Sequence, residues 1–407
     1  MQPNTEPIAG RAAFWLAASS AVAILFSIAA SQILLGLAIV ALLACPGKLR
    51  LPSVWIPIAV FMGGTALALA ASGNPGAGLP QIKKFFVYLM LPVIYSVVRD
   101  LRRARWLVAA WTAAASVSAA DAMVQFLRKI HEAHAAGKTF YEYYVGERIT
   151  GFMSHWQTFG GEQMIVLILL AAFLMFSPRA RRWALWLGLG AAALLAFALL
   201  LGFTRGIWLG TAAAGLYLIW FWKRRLLIAL PLALAALLWL NPGSVRNRFE
   251  SGFKADPRLD SNQFRIVCWR TGWRMIQAHP VLGLGPEIVH LQFQQWVPPD
   301  IPRPLPEGWY GHLHNLYIHY AAERGIPTAL ALVVALAMML RDFARALRRL
   351  KPGPGDERFL LHGAFAVVIA IMVSGMFEVN LGDSEVLTMF LATVALGYVA
   401  RDTAVCE

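Results

Sequence analysis

Apolar residues run in blocks of about twenty along this chain, separated by short polar breaks. Twenty residues of helix, at about 1.5 Å each, cover the roughly 30 Å hydrocarbon core of a bilayer. The pattern predicts twelve spans, at 12–30, 32–46, 54–72, 82–98, 106–127, 160–177, 183–202, 205–222, 225–240, 314–340, 359–377 and 385–400. The first follows a lone Arg11 and leads into the second with only Ser31-Gln32 between, so it reads as an uncleaved span rather than a removable leader. Lys83 and Lys84 fall inside the start of the fourth. Lysines there either snorkel to the interface or line a site.

Two longer stretches interrupt the pattern. Residues 128–159 are mixed polar and aromatic, with Tyr141, Tyr143 and Tyr144. Residues 241–313, between the ninth and tenth spans, open on the break signal Asn241-Pro242-Gly243. Within them, about Asn262 to Ala278 reads as an amphipathic helix, with Phe264, Val267, Trp269, Trp273 and Ile276 among Arg265, Arg270 and Arg274. Such a helix suits a bilayer surface. Arg270 and Arg274 share a face, and Arg265 lies about 140° round from Arg270. Pro298, Pro299, Pro302, Pro304 and Pro306 predict a stiff, extended connection. The expected architecture is one all-α, polytopic membrane domain over 1–407, with a large helical loop at 241–313.

Composition agrees: 58% of the residues are hydrophobic and only 14% charged. The formal net charge of +14 would raise nucleic acid as a partner of a soluble protein. Here the basic residues sit in alternate short loops: Lys48 and Arg50; Arg99, Arg102, Arg103 and Arg105; Arg179, Arg181 and Arg182; Lys223, Arg224 and Arg225; Arg341 to Lys351. The loop after the eleventh span is acidic, with Glu378, Asp383 and Glu385. Basic loops stay on the cytoplasmic side, which puts both termini there and the 128–159 and 241–313 segments outside. No nucleic-acid role is expected. Three scattered cysteines predict neither a disulfide framework nor a zinc site.

The chemistry-bearing residues gather on the outer side. Arg205, in Phe203-Thr204-Arg205-Gly206-Ile207-Trp208, stands at a span boundary. It is either a snorkelling arginine on lipid head groups or a clamp on a phosphate or diphosphate, for which a guanidinium fork is suited. Thr204 adds a hydroxyl. His279-Pro280 with Gly283 and Gly285 reads as a helix stop and turn, and His279 is placed to meet a substrate. His312-Leu313-His314-Asn315 lies at the mouth of the tenth span. A neutral imidazole there can take a proton from an attacking hydroxyl, and an imidazolium can bind phosphate. His314 is the preferred candidate and His312 the more structural one. Glu323 and Arg324 lie about nine residues deeper and must pair or line a cavity. His131 and His134 lack an evident third metal ligand, and there is no Asp-x-Asp, so no metal and no cofactor is expected.

Together, Thr204-Arg205-Gly206-Ile207-Trp208, the loop with Arg265, His279-Pro280 with the two glycines, His312-Leu313-His314-Asn315 and Glu323-Arg324-Gly325-Ile326 resemble the bacterial O-antigen ligase family, part of the wider Wzy-C group. The motifs cover about residues 200–330. The resemblance implies a GT-C-like membrane glycosyltransferase of the inner membrane. It would move a finished O-antigen from undecaprenyl diphosphate to lipid A–core at the periplasmic face, with inversion and without metal or nucleotide. Carried over, Arg205 and Arg265 would hold the diphosphate and His314 would be the histidine needed for transfer. Thr204, Arg270, Arg274, His279, His312, Asn315, Lys83 and Lys84 complete the expected substrate-binding set. O-antigen polymerases and protein O-oligosaccharyltransferases share parts of the pattern. A lipid-linked sugar flippase, from a different class, would instead carry ionisable residues at mid-membrane on several helices.

Overall fold

The computed structural model describes residues 8–45, 49–178, 182–229 and 261–406. Most of those residues are helical, with no strand among them. Seven helices are long and apolar enough to cross a membrane, and three shorter apolar ones accompany them. The count of twelve spans is not reached among the described residues. The expected ninth span and the first part of the 241–313 segment lie almost wholly outside them.

The short helices α1 (Ile8–Ala23) and α2 (Ile28–Leu43) form a tight pair. The break between them lies at 24–27, not at Ser31-Gln32, because Ser27 accepts from Ala30 N–H and caps α2. Ser31 instead faces Ser20, and each hydroxyl donates to the other's carbonyl at 2.7 and 2.9 Å. Buried hydroxyls between apolar helices lock their register in this way. α3 (Trp55–Ala71) follows. The expected fourth span is three pieces, α4 (Pro75–Lys83), α5 (Phe85–Tyr88) and α6 (Met90–Val97). α7 (Leu101–Ala135) runs well past its apolar part, and α8 (Phe140–Gly146) covers its end, with Phe140 and Tyr144 stacked on each other and edge-on to Phe126. α9 (Trp156–Phe176), α10 (Arg182–Leu201) and α11 (Arg205–Lys223) complete the first part.

The expected loop helix is α12 (Ser261–Ala278), followed by α13 (Ile288–Trp296). Phe264, Val267, Cys268, Met275 and Ile276 of α12 pack with Val289 and Phe293 of α13 in a second apolar core, separate from that of the bundle. α14 (Leu316–Arg349), α15 (Asp356–Ser374) and α16 (Ser384–Cys406) close the chain, with α15 against α9 and α11.

α14 is broken at Gly325, whose φ of 79° and ψ of 162° are open only to glycine. An unbroken helix would pair the carbonyls of Ala322 and Glu323 with the N–H groups four residues on. Ile326 N–H instead bonds Pro280 O at 2.8 Å, and Pro327 has no N–H. The two stranded carbonyls accept from Leu284 N at 2.9 Å and Gly285 N at 2.8 Å. The turn after α12 thus completes the backbone of α14. Contact is so close that a Cβ on Gly283 would lie 2.3 Å from Glu323 C, and one on Gly325 1.8 Å from Val281 O.

Gly325→Ala is therefore expected to destabilise the fold by on the order of 2 kcal/mol or more, from backbone strain and overpacking together. Thermal unfolding of the purified variant checks this. An unchanged midpoint would mean that the break tolerates a side chain.

Candidate functional site

Four segments converge at the N-terminal end of α14. Arg205 is the first residue of α11, reached through Phe203 at φ 49° and the N-cap Thr204. Arg265 lies one turn into α12. His314 ends the loop before α14, and Glu378 lies between α15 and α16. Among the described residues the non-glycine positions with positive φ are Phe203, Glu287 and His314. Phe203 and His314 flank these segments and Glu287 caps α13; such strain, about 1 kcal/mol or more each, persists where surrounding contacts over-determine the backbone.

Glu378 is the hub. Its side chain is only 3% exposed. Arg265 Nη2 donates to one of its oxygens at 2.6 Å, and His314 Nδ1 donates to the other at 3.1 Å. Arg265 Nε also reaches Phe377 O at 3.3 Å. Burial would raise the Glu378 carboxyl, but the His314 hydrogen bond and the Arg265 charge outweigh it and hold the pKa at about 2. The carboxylate is thus ionised and can only accept, which fixes the proton of His314 on Nδ1. In the neutral ring Nε2 then carries the lone pair; Nε2 lies 3.4 Å from Trp309 O, a carbonyl that can only accept, so that contact is a hydrogen bond only once Nε2 is protonated. Arg205 Nη2 donates to Asn262 at 3.0 Å, one turn before Arg265 on α12. Both arginines therefore meet the same helix.

His314 is held on every side. Asn315 caps α14, accepting from Tyr317 N and Ile318 N at 3.0 Å each, while its amide donates to Met376 O at 3.0 Å. Phe264 meets the imidazole edge-on at 4.8 Å, and Trp269 Nε1 donates to His314 O at 3.3 Å. The His312 ring lies tilted 4.1 Å from that of His314 and accepts its backbone N–H on Nδ1 at 3.1 Å. Burial, then the nearby His314 charge, push the His312 pKa down to about 3, so that ring is neutral. His155, which caps α9, also faces Glu378 and His314, and burial lowers its pKa.

Beneath this layer lies a second one. Lys84 donates to Gly382 O at 2.7 Å and faces Glu287, Asp383, Glu323 and Arg324. Arg324 donates to Gln81 at 3.1 Å and sits over the Tyr320 ring at 4.0 Å. Its contact with Glu323 is long, 3.9 Å, so mutual pairing does not account for either. Glu323 accepts from Glu287 N at 2.8 Å.

Other expected residues stand elsewhere. Arg270 pairs with exposed Asp300 at 2.6 Å and Arg274 donates to Val297 O at 3.2 Å, on the other face of α12, beside an open groove of about 480 Å³ with Trp269 and Trp273. His279 is exposed against Trp296, and Lys83 is exposed. The Thr204 hydroxyl is buried and spent on Gly202 O at 3.0 Å. Glu378 and His155 join the site in the structure and carry no local sequence signal for it. In the sequence, the acidic loop containing Glu378 speaks only to orientation.

His312, His314 and Glu378 offer ligand atoms within 4.8 Å of one another, close enough to hold a metal ion. Two of those donors are already engaged: Glu378 by the Arg265 guanidinium and Nδ1 of His312 by a backbone N–H. A cation would compete with Arg265 for the carboxylate.

A multi-helix, apolar protein with an imidazole, a buried carboxylate and two arginines at one end of its bundle is the class so defined. Residues 190–333 match the family model described as O-Antigen ligase, the family that the motifs from Thr204 to Ile326 resemble. The match includes Arg205, Arg265, His314 and the Gly325 break, and stops short of Glu378. No curated protein matches the chain.

The depressed His312 pKa has a sign. Between about 3 and 6.5 the unfolded chain binds a proton there that the folded chain refuses, so stability falls as pH drops through that window. The thermal midpoint of the wild type is expected to fall more steeply from pH 6.5 to 4.5 than that of His312→Gln. Parallel curves would show that His312 is protonated as easily folded as unfolded.

Proposed function

We propose that this protein is a glycosyltransferase of the O-antigen ligase type, moving a finished glycan from undecaprenyl diphosphate to lipid A–core at the outer face of the inner membrane. The observation that carries the reading is the buried Glu378 carboxylate shared by Arg265 and His314. A carboxylate on Nδ1 keeps Nε2 free as a base and stabilises the imidazolium that forms.

The acceptor hydroxyl attacks the anomeric carbon of the donor sugar from the face opposite the leaving group. The new carbon–oxygen bond forms as the bond to the diphosphate breaks, and that electron pair leaves on the diphosphate. The hydroxyl proton passes to His314 Nε2. Negative charge grows on the leaving group, so a fixed guanidinium stabilises the transition state more than the ground state. Arg205 is suited to that role, and it opens α11, whose first turn lacks a side-chain cap and adds positive potential. Arg265 has a double duty. It anchors Glu378, and its remaining N–H groups extend the positive field. Lys84, in the layer below, adds to it.

Glu378→Gln keeps the shape and removes the charge. It is expected to lower kcat on the order of a hundredfold or more with little effect on KM. A near wild-type kcat would remove Glu378 from the mechanism. Arg205→Ala is expected to abolish transfer in protein that still purifies folded, and substantial turnover would refute the diphosphate clamp. Arg265→Ala strands a buried carboxylate and is expected to cost about 3–5 kcal/mol of stability as well as activity.

Transfer is expected to persist in excess chelator; loss restored only by added divalent ion would overturn the metal-independent step. Reconstitution with undecaprenyl diphosphate-linked glycan tests the whole reading, with lipid A–core, a second lipid-linked glycan and a pilin-like protein offered in turn. Glycosylation of the second or third would assign polymerase or protein-glycosylating activity instead.

A further inference from the structure

The far end of α14 carries a second charged site. His314 precedes the first residue of this helix, and Arg345 and Arg349 lie in its last two turns, about 50 Å of helix away. There, Asp342, Arg345, Ala346 and Arg349 form one stripe of α14, at the i, i+3, i+4 and i+7 spacing. The stripe lines a cavity of about 540 Å³, open to solvent, with Arg50, before α3, and Arg401 and Asp402 of α16. That volume is within the roughly 300–1,000 Å³ of ordinary ligand sites.

Four guanidinium groups face two carboxylates in this cavity, a surplus of two positive charges. The carboxylates are already committed. Asp402 accepts from Arg50 at 2.8 Å, from Arg401 at 2.7 Å and from the Tyr95 hydroxyl. Asp342 is buried and accepts from Ser53 at 2.9 Å, Tyr398 at 3.1 Å and Arg341 at 3.0 Å. Arg345 and Arg349 have no carboxylate within 4.0 Å among the described residues. The inner arginines are immobilised as well as paired. Arg50 lies 4.3 Å over the Tyr95 ring and Arg401 4.6 Å over Tyr398. An anion in the cavity would offset the surplus positive charge of its lining. Guanidinium groups with free forks bind phosphate oxygens bidentately.

We propose that this cavity binds a phosphate-bearing ligand, the head group of an anionic phospholipid, at the end of the bundle opposite the His314 site. The inference stands apart from the glycosyltransferase reading. Arg50 and Arg401 form the fixed wall, and Arg345 and Arg349 close on the phosphate from the helix. Basic pockets between membrane helices recognise acidic head groups by this chemistry. A free phosphate carries the same chemistry, and the test separates the two sources.

The test uses the full-length protein, purified in detergent and delipidated. Binding and thermal midpoint are measured with short-chain phosphatidylglycerol, short-chain phosphatidylcholine and inorganic phosphate. The variants are Arg345→Gln with Arg349→Gln, and Arg348→Gln as a control, since Arg348 is equally basic and exposed but does not line the cavity. The expected result is saturable stabilisation by phosphatidylglycerol but not by phosphatidylcholine, weakened at least tenfold in the double variant and unchanged in the control. Stabilisation by inorganic phosphate as well, lost in the same double variant, keeps the phosphate site and makes the free anion its source. Equal phosphatidylglycerol binding by wild type and double variant, equal loss in the control, or no preference for the anionic lipid would each overturn the proposal.

Discussion

Main-chain polar groups in an apolar surrounding must find partners, and this constraint governs the middle of the molecule. Once α14 breaks at Gly325, two carbonyls and one N–H have lost their helical partners. The turn at 280–285 supplies all three bonds. That seats the end of α12 against α14, and α12 carries Arg265. The position of the arginine is therefore set by backbone geometry two helices away from the charge itself. The same break delivers Glu323 and Arg324 to the layer beneath the site, where Glu323 holds the amide of Glu287.

Electrostatics does the rest. A buried carboxylate is costly unless paired, and Glu378 is paired twice. It joins the large loop, through Arg265, to the loop histidine and to the connection between α15 and α16. Replacing both arms by apolar groups would leave a more comfortable interior. The charged arrangement is instead consistent with a site that directs an imidazole lone pair outward. The neutral His312 beside it avoids a second cation next to His314.

Much of this was legible in the sequence. The periodicity of 262–278 marks α12 within one residue at its start, since apolar and basic positions alternate with the helical repeat. The 140° separation of Arg265 from Arg270 correctly divides them between two faces, one toward Glu378 and one toward Asp300. The His279-Pro280 turn reads as architectural, and it is, although nothing in a single chain says that its partner is the backbone of 322–326. Glu378 escaped because 113 residues separate it from Arg265 and no local pattern links them. It looked like loop charge. Asn315 caps α14 and the Thr204 hydroxyl bonds Gly202 O with the same kinds of atoms that would meet a substrate, so the sequence alone does not separate the two roles. The break between α1 and α2 lies at Ser27 and not at Ser31-Gln32; Ser27 and Ser31 are equally good cap residues, and the sequence does not choose between them.

The bonds from Pro280, Leu284 and Gly285 to α14 have a mechanical consequence. The loop helix is not hung from the proline-rich connection at 298–306 that follows it. A protease cutting that exposed stretch would sever the chain without freeing either half. The two fragments would stay clamped through main-chain bonds and the Glu378 bridge, and would part only in denaturant.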